Sequence, residues 1–151
     1  MGLKETYNKI AEDWHKDHQS DTWWIEGTDK FISFLKPGSI VLDVGCGAGI
    51  KTKYLIDNGL RVVGMDFSEK MIQIATNEIS QAKFYIMDLK DIENLDGTYD
   101  GIFMQAVLLH IPKKDAKKTL KKLLDKLKLG GYLYIAVKEK KAVALFSLEM
   151  S

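Results

Sequence analysis

The segment DVGCGAGIKT, Asp43 to Thr52, holds the residue types best suited to chemistry: glycines at alternate positions, a carboxylate just ahead and a Lys-Thr pair behind. A glycine-rich loop lets a ligand approach the backbone N–H groups, and two phosphate-binding patterns exploit this. A P-loop needs glycine directly before Lys-Thr, where the chain curls tightly, and here that position is the β-branched Ile50. The dinucleotide pattern G-x-G-x-x-G would also put its third glycine at Ile50, whereas the chain has Gly45, Gly47 and Gly49. Neither phosphate reading fits.

The elements around the loop follow from hydrophobic period. Leu3, Tyr7, Ile10, Ala11 and Trp14 are spaced as one face of a helix, and a second helix covers 22–35 with Phe31, Phe34 and Leu35 inward, stopped by Pro37-Gly38. Short β-branched runs then predict strands at 39–44, 61–65, 83–87, 99–105 and 132–137. Between them, Ile50, Tyr54 and Leu55 stripe one helix. Met71, Ile72, Ala75 and Ile79 stripe another, capped by Ser68, and Ala116, Leu120, Leu123, Leu124 and Leu127 a third. Gly130-Gly131 is read as the turn before the last strand. Strands alternating with helices predict an α/β fold with a parallel, doubly wound sheet and right-handed crossovers.

On that frame the glycine loop lies at the carboxyl end of the first strand, where open α/β sheets bind ligands. Asp43 repels a pyrophosphate and attracts positive charge. Asp66 ends the second strand, 21 residues after Gly45, placed to accept from both hydroxyls of an unphosphorylated ribose. Asp88 ends the third strand and can accept from an exocyclic amine. Carboxylates at three adjacent strand ends describe a cationic nucleoside. S-adenosylmethionine has the ribose, the adenine amine, an ammonium and a sulfonium, and no phosphate.

VLDVGCGAG, VVGMDFSEKMI and LKLGGYLYIAVK together resemble the first-strand, second-strand and fifth-strand motifs of the class I S-adenosylmethionine-dependent methyltransferases, over Ser39 to Val137. The resemblance implies a three-layer, mostly parallel, Rossmann-like sheet that binds S-adenosylmethionine and releases S-adenosylhomocysteine. It implies that Gly45, Cys46, Gly47 and Gly49 admit the methionine and ribose part, with Asp43 near the methionine end. Asp66 would hold the ribose hydroxyls, Phe67 and Leu89 would flank the adenine, Asp88 would reach its amine, and Gln105 would contact the methionine moiety. Met71 is counted with these residues; the rival reading of Phe67 and Met71 is ordinary core, and that of Asp43 is a carboxylate holding the loop. Cys46 reads as a small packed residue, not a nucleophile.

Methyl transfer from a sulfonium is an in-line displacement with a neutral leaving group, so the protein mainly positions and a base is optional. His110, after the fourth strand, is the candidate to contact the acceptor or act as base, against the rival that it packs before Pro112. Tyr7 and Trp14 resemble the aromatic positions of an N-terminal lid, and one of Trp23 and Trp24 is a candidate for the acceptor pocket. His15 and His18 beside Asp17 and Asp21 read as a solvated face, so no metal is expected. Lysines 114, 117, 118, 121 and 122 also read as a solvated helix face; with Arg61 the one arginine, nucleic-acid binding is not expected.

The 151 residues, with 22 basic and 21 acidic side chains and one cysteine, form one compact domain without a disulfide. No apolar run reaches membrane-spanning length and no signal peptide is read, so a cytoplasmic protein with no membrane partner is expected. The expected division is a helical lid at 1–38, the cofactor-binding core at 39–137 and a tail at 138–151. The tail is shorter than the family's closing strand pair, which implies a truncated chain, or a homodimer or exchanged segment covering an exposed strand-five edge. The expected function is methyl transfer to a small-molecule acceptor. The alternatives are a cofactor-binding but catalytically incomplete fragment, an NAD-dependent oxidoreductase and a protein interaction module.

Overall fold

The computed structural model describes residues 24–105, 113–137 and 142–147. In chain order these form α1 (Ile25–Ser33), β1 (Ile40–Val44), α2 (Ile50–Asp57), β2 (Arg61–Asp66), α3 (Glu69–Glu78) and β3 (Lys83–Ile86). A 3-10 turn (Leu89–Asn94), β4 (Tyr99–Gln105), α4 (Lys113–Leu124), β5 (Leu127–Val137) and β6 (Ala142–Ser147) follow. The six strands make one sheet in the order β3-β2-β1-β4-β5-β6, with β6 alone antiparallel to its neighbour. Because β1 is flanked by β2 on one side and β4 on the other, the sheet reverses its winding at β1/β4, and a crevice opens there at the carboxyl ends.

Both faces of the sheet are covered, which is why its central strands read as unbroken apolar runs. On one face Val41, Val62, Phe103, Tyr134 and Ala136 pack with Phe31 of α1 and Leu55 of α2. Phe31 is fully buried, with its ring 5.6 Å from Phe103 and 5.7 Å from Tyr134. Gly101 makes room for it, since a Cβ there would come 2.7 Å from the Phe31 ring. On the opposite face Leu42, Val44, Ile102, Met104 and Leu133 pack with Leu123 of α4 and with Leu89 and Ile92 of the 3-10 turn.

Several sequence expectations shift. Phe34 is 44% exposed and stacks on Tyr132 instead of entering the core, and Ala116 is exposed. Leu127 belongs to β5, not to the preceding helix, because it pairs with Tyr99 before the register jumps to Gly101↔Tyr132. The Gly130-Gly131 turn is therefore an irregularity inside β5, with Gly130 at φ 79.

The exposed strand-five edge is also corrected. β6 pairs antiparallel with β5 from Tyr132↔Ser147 to Val137↔Ala142, so over 132–137 β5 lies between two strands and its backbone groups there are taken. A homodimer through that edge loses its premise. The helix expected at the start of the chain lies outside the described residues.

Phe31→Ala should destabilise the fold by about 3–5 kcal/mol, because it empties the seam that docks α1 on the sheet. Urea unfolding measures this; a loss below about 1 kcal/mol would mean that α1 is not part of the cooperative core.

Candidate functional site

Register brings the site together. Asp43 on β1 is level with Gly64 on β2 and Phe103 on β4. Two residues further on, the same face carries Asp66 and Gln105. Asp43, Asp66 and Gln105 therefore share the sheet face under α1 and α2, at the carboxyl ends of three adjacent strands. All three are buried, at 2%, 4% and 6% exposure.

The loop from Gly45 to Gly49 is tied to the end of β2. Gly45 and Cys46 donate their N–H groups to the Met65 carbonyl at 2.8 and 2.9 Å, and Gly47 donates to Asp66 Oδ2 at 3.0 Å. Asp66 Oδ1 accepts from the Ser68 N–H at 2.9 Å. Gly49 is the N-cap of α2 at φ 93, and a Cβ there would lie 2.6 Å from Ile79 Cδ1. That position thus excludes side chains twice, by left-handed backbone and by contact with the residue after α3.

Asp43 is held by Thr52, whose hydroxyl donates to Asp43 Oδ2 at 2.7 Å. Burial pushes the Asp43 carboxyl from its ordinary 3.8 up to about 7; the Thr52 bond and the Lys51 charge oppose the rise, and Asp66 adds to it. Burial, with the charges of Asp43 and Asp66, holds the Cys46 thiol well above its ordinary range. The thiol donates to the Gly47 carbonyl at 3.6 Å, and it lies 3.0 Å from where a Cβ on Gly64 would sit. Cys46 is a protonated, packed residue, as its place in the sequence suggested.

Gln105 ends β4 with neither amide atom paired among the described residues. A buried, unsatisfied amide costs about 1–3 kcal/mol, so a polar group supplied from outside the described chain is the natural partner. Met71 is 1% exposed and packs with Ala48 beneath the loop. Asp88 lies two residues past the end of β3 and is exposed, with Oδ1 accepting from the Lys90 N–H at 3.1 Å to cap the 3-10 turn that begins with the buried Leu89. Phe67 follows Asp66 and is half-buried. His110, Tyr7, Trp14 and Trp23 lie outside the described residues.

The sequence reading missed two residues. Thr52 is fully buried and orients Asp43, a pairing nine residues apart that no periodicity signals. Lys51 sits over the Trp24 ring at 5.4 Å, and Trp24 also meets Tyr54 edge-on at 5.1 Å while Tyr54 donates to Asp29. Trp24 thus ties α1 to α2 beside the loop.

The raised Asp43 pKa makes stability fall with pH. The folded chain keeps a proton that the unfolded chain has lost, so this contribution is complete below about pH 4 and lost as pH rises through about 7. Asp43→Asn keeps an acceptor for Thr52 and removes the titration. Its stability relative to the native chain should rise by a few kcal/mol between pH 5 and pH 8, read by urea unfolding at the two pH values. A constant difference would mean that Asp43 is already ionised at pH 5.

Comparison with known proteins agrees with this fold. A family model described as a methyltransferase domain matches residues 41–131, more than half of the chain. Phosphoethanolamine N-methyltransferase 3 of Arabidopsis thaliana is 36% identical over 121 residues, 76% of this chain and 24% of that protein. Ubiquinone biosynthesis O-methyltransferase of Coxiella burnetii is 29% identical over 147 residues, 86% of this chain and 58% of that protein. The chain thus spans between a quarter and a little over half of the length of such curated relatives. Magnesium protoporphyrin IX methyltransferase from Synechocystis PCC 6803, solved with bound SAM, superposes with a TM-score of 0.73 at 24% identity, covering 97% of this chain and 78% of that one, a likeness of fold. With its glycine loop and strand-end carboxylates set at the switch point of a parallel sheet, this chain belongs to the class I S-adenosylmethionine-dependent methyltransferases.

Proposed function

We propose that the chain binds S-adenosylmethionine at the carboxyl ends of β1, β2 and β4 and transfers its methyl group to a small-molecule acceptor. The observation that carries this reading is the Gln105 amide, without a partner among the described residues and buried on the same face as two carboxylates that a cationic ligand would complement. The residues fit such a ligand. Asp66 accepts from the ribose hydroxyls at the tip of β2, and Gln105 offers a donor and an acceptor to the ammonium and carboxylate of the methionine part. Asp43 supplies negative charge where the ligand is positive. Phe67 and Leu89 flank the adenine, Asp88 accepts from its amine, and Met71 supports the loop from beneath.

When bound, the cofactor supplies an activated methyl group on a sulfonium, which leaves as a neutral thioether. The chain's own contribution is to hold that group in line with the acceptor and to exclude water, worth on the order of 7 kcal/mol in favourable cases. His110 is assigned to the acceptor side, where it takes the acceptor's proton if there is one to lose. Tyr7 and Trp14 are assigned to closing the site. The relatives named above act, by their names, on phosphoethanolamine and in ubiquinone biosynthesis, both of which are consistent with a small acceptor.

Isothermal titration with S-adenosylhomocysteine and S-adenosylmethionine, beside NAD, tests the reading. Micromolar binding of the two sulfur nucleosides and none of NAD is expected. Gln105→Leu should weaken binding about tenfold or more without unfolding the chain. Failure of both nucleosides to bind a chain that melts cooperatively would overturn the proposal.

Binding at pH 7 should also release protons, because a cation beside Asp43 lowers a carboxyl that titrates near 7. The binding enthalpy should then vary with the ionisation enthalpy of the buffer, and Asp43→Asn should abolish that variation. Identical enthalpies in all buffers would place the cation away from Asp43.

A further inference from the structure

We propose that the outward face of α4 is a docking surface for an anionic lipid bilayer, bound peripherally by its row of lysines together with the exposed Leu129. Residues 113–128 contain eight lysines and two aspartates, a net of +6 on a chain whose total is +1, so the remainder carries −5. Near-neutral composition thus conceals a strongly segregated charge. The apolar side of α4 is spent on the core, with Leu123 and Thr119 buried at 1% and 8% and Leu120 and Leu124 packed beside them. Lys114, Lys117, Lys118 and Lys121 remain exposed at spacings of three and four, one stripe along the helix.

Neighbouring lysines have structural work and this stripe does not. Lys122 donates to the Lys90 carbonyl at 2.7 Å and pairs with Glu93 at 3.1 Å, Lys126 donates to the Leu95 carbonyl, and Lys128 pairs with Asp100 at 3.6 Å. Lys114, Lys117 and Lys121 make no ion pair among the described residues, and Lys118 acts only on Glu93, at the edge of the stripe. Just past the helix, Leu129 is 63% exposed, the most exposed large apolar side chain among the described residues, and it directly follows Lys128.

A row of point charges followed in the chain by an exposed leucine suits an anionic lipid surface better than it suits other polyanions. Clusters of four or more lysines on one side of a helix are attracted to anionic headgroups, and a leucine beside them can enter the headgroup boundary. Nucleic acid favours arginine forks and stacking rings, and this face offers neither. Protein interfaces are depleted in lysine. Among the described residues no helix is long and apolar enough to cross a membrane, and docking of this kind needs none. This departs from the sequence expectation of no membrane partner, which rested on the lack of a spanning run.

Vesicle co-sedimentation of the full chain tests the proposal, using phosphatidylcholine with about one-third phosphatidylserine against phosphatidylcholine alone, at about 50 mM and about 500 mM salt. Binding to the anionic vesicles only, and only at low salt, is expected. The combined variant Lys114→Gln, Lys117→Gln, Lys118→Gln, Lys121→Gln should bind more than a hundredfold more weakly, at roughly fivefold per lysine. Leu129→Ser should weaken binding about tenfold. Both variants change exposed side chains that make no contact with the core, so melting should be unchanged; if the combined variant fails to fold, the salt and neutral-lipid arms still decide. Equal binding to neutral vesicles, native-like binding by the four-lysine variant, or tighter binding to RNA or polyglutamate than to anionic vesicles would each overturn the proposal.

Discussion

Three loop amides held by the end of one strand organise this site. Gly45 and Cys46 share the Met65 carbonyl, and Gly47 reaches the Asp66 carboxylate at 3.0 Å. Amides left without acceptors in a buried loop would each cost a kcal/mol or more, so these bonds force the chain leaving β1 to fold across the tip of β2. Asp66 is consequently locked in place before any ligand arrives. The same crossing sets where α2 begins, which delivers Thr52 to Asp43 and Lys51 to the Trp24 ring. Glycine is required here for space and backbone freedom together, as the clash of a Cβ at Gly49 with Ile79 illustrates.

The electrostatics follow from that geometry. Two buried carboxylates lie on one sheet face, and the Asp66 charge adds to the cost of ionising Asp43. Lys51 and the Thr52 hydroxyl offset only part of this for Asp43, whose carboxyl stays near 7. A site in this condition disfavours anions and gains from a cation. The Gln105 amide beside the carboxylates offers both a donor and an acceptor, which a zwitterionic amino-acid group satisfies and a hydrocarbon does not.

The two faces of the sheet divide their tasks. α1 and α2 cover the face that carries the carboxylates, while α4 covers the other with Leu123 and leaves its lysines outward. Sheet closure is likewise a matter of local pairing. β6 lies along β5, so the strand that the sequence suggested as an edge is interior. A six-residue strand suffices because antiparallel pairing needs only a short connection, whereas a further parallel strand would need a crossover of a dozen residues or more.

Much of this was legible in the chain. The alternation of β-branched runs with helical stripes specified a parallel sheet, since each period is a local property of consecutive residues. Ile50 after Gly49 ruled against both phosphate patterns because one side chain in the wrong place is decisive in a tight loop. The spacing from Gly45 to Asp66 put a carboxylate at the tip of β2 because strand, helix and strand lengths are nearly fixed by their own geometry. The antiparallel pairing of the tail and the irregularity that draws Leu127 into β5 were decided by the neighbouring strand, whose hydrogen-bonding groups no local pattern reveals. The same holds for Thr52 on Asp43 and Trp24 under Lys51. Sequence by itself determined which elements form and which residues end the strands, because those depend on period and turn chemistry. Only the tertiary structure decided which buried polar groups find partners among the described residues and which, like Gln105, do not, because burial and pairing arise from residues brought together across the chain.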